Sequence, residues 1–430
     1  MNQPALSNHF DLRKPSAIRK AQIEFSKRND KNEIDVINLA IGNVSLPMYP
    51  AMREKLRKIG NDVFKDGVIK YTSTSGTKNA RNAFLNILSA EGIETDCIYP
   101  LVTDGGSTAM ELMILGVCGP ASKNSLLLFD PAYTNYLQFA RRLSVPILSS
   151  DRVIEDDGSF SSLDLNEIES IVKKYKPSGI LVIPFDNPTG QFLNKQTMIE
   201  IAKIAVKNNI WLISDEAYRP LSYNTDSTTS VWALKENDVS GITGRRISIE
   251  SASKVWNACG LRIGGLLTDN KGFYNKSISE YTANLCANTI GQEIFGVMST
   301  EPRKNILNWY KKQRQYYKSI LFLLKINLEK EIPGIIVSNP EAAIYCVIDL
   351  KNIVSESFDA EDFIQYCARE GKIDFNGTIY TVLLAPMTGF YNNKQKGKTQ
   401  LRIAIVEEPE KMKIAPLILS KLFNTYLKKY

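Results

Sequence analysis

The sequence predicts an α/β fold, with a doubly wound, largely parallel sheet and a smaller α+β domain. Three observations lead there. Between residues 101 and 254, apolar runs of the buried parallel-strand type alternate with amphipathic helical patterns. The last three of those runs end in polar residues, Asn187, Asp215 and Lys254. After Pro333 the rhythm changes to shorter strand patterns with helices between and after them.

Residues 1–35 form a polar arm with helical character over 17–28. It cannot bury much of itself and is expected to pack on another part of the fold or on a second subunit. Residues 37–43 read as a short strand ending in a glycine turn, where Gly42 either lets backbone approach a small ligand or simply makes the turn. Pro47 and Pro50 lead into an amphipathic helix over 52–59. The hydroxyl-rich loop 71–76 opens a helix with Ala80, Phe84, Ile87 and Leu88 on one face.

Residues 101–114 read as strand, Gly-Gly turn and helix. Such a turn aims free N–H groups and the positive end of the helix dipole at one point, a ready anion site to which Ser107 and Thr108 add hydroxyls. An N-cap with no ligand fits the same residues. Three further strand-to-loop junctions follow. Residues 126–129 lead into Asp130-Pro131-Ala132-Tyr133, 179–184 into Asn187-Pro188-Thr189-Gly190, and 210–213 into Asp215-Glu216-Ala217-Tyr218. Ligands on parallel sheets bind at the carboxyl ends of strands, where Asn187, Asp215 and Lys254 all fall. A long helical pattern covers 304–328, and strands are expected at 342–350, 381–384 and 401–406. Arg402 alternates with Leu401 and Ile403, so it points to the opposite face from them.

Composition excludes several classes. Net charge is +7, but no Lys/Arg run is long enough for a nucleic-acid patch. The six cysteines form no CxxC pair, and a single histidine argues against a His-ligated metal or a His base. No apolar run approaches a membrane span, and the first 20 residues lack a signal-peptide core. The expectation is a cytoplasmic protein with no metal, no nucleic-acid partner and no membrane partner.

Residues 251–265 then carry the chemistry. Lys254 lies among hydroxyls and small residues, with Arg262 eight positions on. A lysine so placed can form a Schiff base with an aldehyde cofactor whose anion the arginine holds. Read alone, this segment fits a surface lysine beside a Gly-rich turn better. Read together, Asn187-Pro188-Thr189-Gly190, Asp215-Glu216-Ala217-Tyr218, Ser251-Ala252-Ser253-Lys254 and Gly260-Leu261-Arg262-Ile263-Gly264 resemble, in order, the motifs of the fold-type I, pyridoxal-phosphate-dependent class I/II aminotransferases.

The resemblance runs from Asn38 to Arg402 and implies a seven-stranded-type large-domain sheet. It divides the chain into 1–50 (arm and part of the small domain), 51–304 (cofactor domain) and 305–430 (small domain). It makes Lys254 the Schiff-base lysine and proton carrier, and Asp215 the partner of the pyridine nitrogen. Tyr218 and Asn187 become donors to the ring's phenolate oxygen, and Tyr133 the aromatic stacked on the ring. Arg262, Ser251, Ser253 and the Gly106-Ser107-Thr108 helix start surround the phosphate. Tyr71 reaches the phosphate of a neighbouring subunit, which implies a homodimer with shared sites. Arg402 clamps the substrate α-carboxylate and Gly42 closes over it. The implied reaction moves an amino group from an L-amino acid to a 2-oxo acid. A lyase, cyclase or oxidase on the same cofactor is the alternative. Residues 282–300 lack the second arginine of dicarboxylate-specific members, leaving Arg303 as a poorly placed substitute. Met48, Tyr49, Trp256 and Asn288 are further pocket candidates.

Overall fold

The computed structural model describes residues 4–223 and 229–429. In chain order its strands are β1 (Ile34–Asn38), β2 (Tyr99–Asp104), β3 (Leu126–Asp130), β4 (Ile147–Asp151), β5 (Gly179–Val182), β6 (Trp211–Asp215), β7 (Arg246–Ser251), β8 (Ile263–Thr268), β9 (Ile336–Val337), β10 (Tyr345–Asp349), β11 (Ile373–Phe375), β12 (Thr378–Leu383), β13 (Ala385–Pro386) and β14 (Gln400–Ala404). Seven of them form one sheet in the order β2-β8-β7-β6-β5-β3-β4. The run from β4 to β7 is parallel, while β8 is antiparallel to both β2 and β7. The apolar runs at β3, β5 and β6 mark this sheet in the sequence. The pattern does not single out β4 or β8. The loop 252–262 joins β7 to β8 without a crossover α-helix, and β8 returns antiparallel beside β7.

Both faces of the sheet are covered. β3 and β8 are buried at every position, and so is the alternate-face pair Leu127 and Leu128. The Lys78–Ala90 helix buries Ala80, Phe84, Ile87 and Leu88, the face expected from spacing. The Lys195–Lys207 helix likewise buries Met198, Ile201, Ile204 and Ala205.

The remaining strands make two smaller sheets. β1 pairs in parallel with β12, which pairs with β11, so the start of the chain and its last third share a sheet. The other has the order β13-β14-β10-β9, with Arg402 opposite Val347 on one side and Ala385 on the other. The 29-residue Arg303–Glu331 helix buries Ile306, Tyr310, Tyr317, Leu321, Leu324 and Leu328 along one stripe. The arm's Ala17–Ser26 helix packs on its own chain, against the Ala360–Arg369 helix and β13. Ion pairs Lys20–Glu361 and Arg369–Glu24 hold it there.

Candidate active site

β5, β6 and β7 are neighbours in the sheet, so the residues beyond their carboxyl ends converge. Lys254 Nζ donates to the Gly42 carbonyl at 2.5 Å. It lines a cleft of about 810 Å³ with Gly42, Ser107, Tyr133, Tyr345, Arg262 and Arg402. Gly42 has to be glycine, because a Cβ there would strike the Tyr345 hydroxyl and crowd the Lys254 amine.

Asp215 is 4% exposed, and its Oδ2 accepts from the Tyr136 hydroxyl at 2.8 Å while Oδ1 accepts from the Ala217 amide at 3.2 Å. Burial pushes its carboxyl up to about 6, against the downward pull of those two donors. No basic side chain among the described residues pairs with it. A buried carboxylate with neutral donors and no cation suits a protonated ring nitrogen. The Tyr218 hydroxyl lies 2.6 Å from that of Tyr345. Burial and that neighbour hold Tyr218 far above the ordinary tyrosine range, so it remains a hydrogen-bond donor.

Arg402, on β14, is 1% exposed. Its Nη1 donates to Asn187 Oδ1 at 2.9 Å and its Nη2 to the Ala40 carbonyl at 2.5 Å. The guanidinium stacks over Tyr345 and Phe390, with its carbon 4.4 and 4.9 Å from the two ring centres. Among the described residues its Nε has no partner, an orphaned buried donor beside the cleft. That is the state of a guanidinium fixed for a carboxylate. Asn187 Oδ1 is engaged by Arg402, which leaves the Asn187 amide nitrogen to donate elsewhere.

The anion corner forms where the Gly105–Val117 helix meets the loop after β7. Asp104 provides no side-chain cap, because its carboxylate accepts from the Tyr281 hydroxyl and the Asn288 amide instead. The first-turn N–H groups are therefore free for an anion. Gly105 sits at φ +74°, and a Cβ there would run into the Arg262 guanidinium, so the glycine keeps helix start and arginine together. Ser107 lines the cleft, while the Thr108 hydroxyl turns back to the Asp104 carbonyl at 3.2 Å and Thr108 offers only its amide. Ser251 Oγ accepts from the Ser253 amide at 3.0 Å. These residues fit a phosphate, and the cleft as a whole fits pyridoxal phosphate.

Tyr71 stands apart, 78% exposed and outside this chain's own cleft. Tyr49 and Trp256 are not cleft residues. Tyr49 packs edge-on against Trp256 and Trp309, and Trp256 against Tyr310. Asn288 caps the Thr289–Phe295 helix, Met48 lies outside the cleft lining, and Arg303 Nε donates to the Ala90 carbonyl. Sequence reasoning misses Tyr136 and Tyr345. Tyr136 lies three residues after Tyr133 at the start of one helix, a spacing that points to it. Tyr345 lies in an apolar strand run without a motif.

A second constellation lies behind the first. Glu216 follows Asp215, Arg219 follows Tyr218, and Glu250 precedes Ser251. Arg219 Nη1 contacts Glu216 at 2.7 Å and Glu250 at 2.8 Å, and its Nε contacts Glu91 at 3.1 Å, all in the interior. Three buried carboxylates around one guanidinium leave excess negative charge. Burial holds the Glu91 and Glu250 carboxyls above the usual carboxylate range, against the pull of Arg219. It braces the chain on the side away from the cleft.

This fold and site define a pyridoxal-phosphate-dependent transferase. Residues 34–415 match the family described as aminotransferase class I and II, and the chain belongs to it. It is accordingly a pyridoxal-phosphate-dependent aminotransferase acting on amino acids and 2-oxo acids. An aspartate aminotransferase of Sulfurisphaera tokodaii is 26% identical over 317 residues, 73% of either chain. One from Sulfolobus acidocaldarius is 24% identical over 355 residues, 81% of this chain and 82% of that one. The structure of an alanine aminotransferase from Pyrococcus furiosus superposes with a TM-score of 0.77 at 22% identity, covering 99% of this chain and all of that one, which speaks to the fold. Among the described residues no helix is long and apolar enough to cross a membrane.

Proposed function

We propose that the cleft transfers an amino group from an L-amino acid to a 2-oxo acid, with Lys254 as the reactive amine. One observation carries this: a lysine amine and a buried, partly unpaired Arg402 guanidinium face one cleft. Bound there, pyridoxal phosphate supplies an aldehyde carbon for the amine and a ring that takes up the electron pair left by the α proton. Lys254 Nζ, steered by the Gly42 carbonyl, would take the proton from the substrate's α carbon and deliver it to the cofactor's aldehyde carbon, on the far side of the amino nitrogen. Asp215 presents its carboxylate to the ring nitrogen. Tyr218 and the Asn187 amide donate to the ring oxygen, and Tyr133 covers one ring face. Arg262, Ser107, Ser251, Ser253 and the first-turn amides of Gly106 and Thr108 hold the phosphate. Arg402 fixes the α-carboxylate through donors that Asn187 and Ala40 leave free.

The relatives' name makes aspartate the first donor to try. The test is an absorbance spectrum with the donor and no oxo acid. A lasting change to the amine form, reversed by an oxo acid, supports transfer. Spontaneous recovery with ammonia release would replace it with elimination. Arg402→Lys is expected to lower kcat/KM by about 10²-fold, mainly through KM, because an ammonium cannot make the paired planar contact. Steady-state kinetics read this, and an unchanged KM would reassign the clamp.

The assembly we propose is a homodimer with shared sites. Tyr71 and nearby Val68, Ile69, Leu285 and Ile290 form an exposed apolar face unsuited to water. The Thr289 hydroxyl, bonded to the Lys70 carbonyl, ties the two stretches together. Tyr71→Phe is expected to weaken cofactor affinity about tenfold, the effect of one hydrogen bond to a charged group. Light scattering that finds a fully active monomer would remove this assembly. A cytoplasmic location, supported by the unpaired cysteine pattern, is testable by fractionation.

A further inference from the structure

Asp130-Pro131-Ala132-Tyr133 leads from the end of β3 towards the cleft, and of these four residues only Tyr133 lines it. Asp130 and Ala132 instead bind the segment 390–396, which lies just ahead of β14 in the chain. The Ala132 amide donates to the Phe390 carbonyl at 2.9 Å. The Asn392 amide donates to Asp130 Oδ2 at 2.6 Å. Lys396 forms an ion pair with Asp151, which is opposite Asp130 in the register of β3 and β4. The segment is thus strapped across the ends of two neighbouring strands.

The same strap reaches Arg402. Phe390 is fully buried, and its ring centre lies 4.9 Å from the Arg402 guanidinium carbon. The Tyr391 hydroxyl donates to Gln400 Oε1 at 2.9 Å, on the strand that carries Arg402. Asp130 is where the strap meets the large sheet. It is fully buried, makes no ion pair among the described residues, and its Oδ1 has no hydrogen-bond partner there. The neighbouring cation, Arg152, is committed to Asp186 at 2.8 Å and to the Phe129 and Pro131 carbonyls. A buried carboxylate is costly unless it is hydrogen-bonded. The donors that Asp130 meets are the Asn392 amide and the Ser149 side chain, so the strap is part of what satisfies it.

We propose that Asp130 is a positioning residue for substrate binding: by holding the 390–396 strap it keeps Phe390 against Arg402, and so fixes the α-carboxylate clamp relative to Tyr133. The inference rests on Arg402 as that clamp, and it adds the contact that sets where the clamp stands. Tyr133 and Arg402 lie within electrostatic reach of each other, so a shift of the strap moves two walls of one cleft. A hydrogen bond to a carboxylate suits the task because it is short and strong. The bonds from Arg402 to Asn187 and to the Ala40 carbonyl do not involve the strap. Loss of Asp130 therefore loosens the clamp without abolishing it.

The test uses the holoenzyme, wild type against Asp130→Ala, Asp130→Asn, Asn392→Pro and Arg402→Lys. Steady-state kinetics are measured with L-aspartate and L-alanine, propanoate binding by calorimetry, and amide hydrogen exchange over residues 387–399. Asp130→Ala is expected to raise KM about tenfold with kcat changed by less than about twofold, and to weaken propanoate binding by a similar factor. Exchange of the strap amides should quicken with it. Asp130→Asn keeps an acceptor for the Asn392 amide and is expected to recover most of the KM. Asn392→Pro deletes the same bond from the strap side and leaves the sheet untouched. It is expected to match Asp130→Ala, with the double variant no worse than either. Wild-type KM in both single variants, despite faster strap exchange, overturns the proposal. So does an equal loss in Asp130→Asn and Asp130→Ala that falls on kcat, which would make Asp130 a packing residue. Arg402→Lys separates the two readings. Undiminished propanoate binding there removes the clamp, and this inference with it. Weakened binding there, with wild-type binding in Asp130→Ala, overturns the strap alone.

Discussion

Lys254→Ala is expected to lower turnover by at least about 10⁴-fold, the upper range for losing a positioned acid–base group, with the loss of covalent attachment adding to it. The fold should survive. The lysine amine donates one hydrogen bond, to the Gly42 carbonyl, and makes no ion pair among the described residues. The phosphate corner at Gly105, Ser107 and Arg262 is untouched, so cofactor should still bind, without the spectral band of the lysine-linked form. Single-turnover spectra and a thermal melt together check this. Residual turnover above about one hundredth of wild type, with an unchanged melt, would assign proton transfer to another group, with Tyr218 and Tyr345 the first to examine.

Asp215→Asn is expected to cost about 10²–10³-fold in kcat, as for the removal of one fixed electrostatic group. It also has a signature in the cofactor-free protein. Folding raises the Asp215 carboxyl to about 6, so between its unfolded value and that point the native state binds more protons than the unfolded chain. Its favourable contribution is complete below about pH 4, falls as pH rises to about 6 and is flat above. Denaturant melts across this range should show cofactor-free wild type losing about 2–3 kcal/mol of stability relative to Asp215→Asn as pH rises. Cofactor should remove the effect in the wild type, because a cationic ring nitrogen stabilises the carboxylate. An equal slope in both proteins would assign the titration to Glu250 and Glu91.

The sequence shows the cofactor half of the site well and the substrate half poorly, for a physical reason. Asn187, Asp215 and Lys254 end apolar strands, and a parallel sheet brings such ends together whatever the side chains do. The Gly105 helix start and Arg262 meet because β2 and β8 are adjacent, which the sequence supports through motif order although it does not mark β8 as a strand. Arg402 is legible as a polar residue in an apolar strand. Tyr345 is not, since one hydroxyl in a buried run leaves no periodic signal. Arg219 and its glutamates are also hidden, because each looks like an ordinary charge until burial is known. The arm's share of the cleft wall is hidden because it depends on how the arm returns over β13, a contact between distant parts of the chain.

That return path divides the labour of the molecule along the chain. The groups proposed to hold the cofactor sit at the strand ends of the seven-stranded sheet, next in sequence to the residues of the Arg219 cluster. Part of the cleft's outer wall sits on a ten-residue helix whose ion pairs are to the Ala360–Arg369 helix. Exchanging that one short N-terminal segment is expected to reshape the mouth of the cleft while leaving the residues at the strand ends where they are.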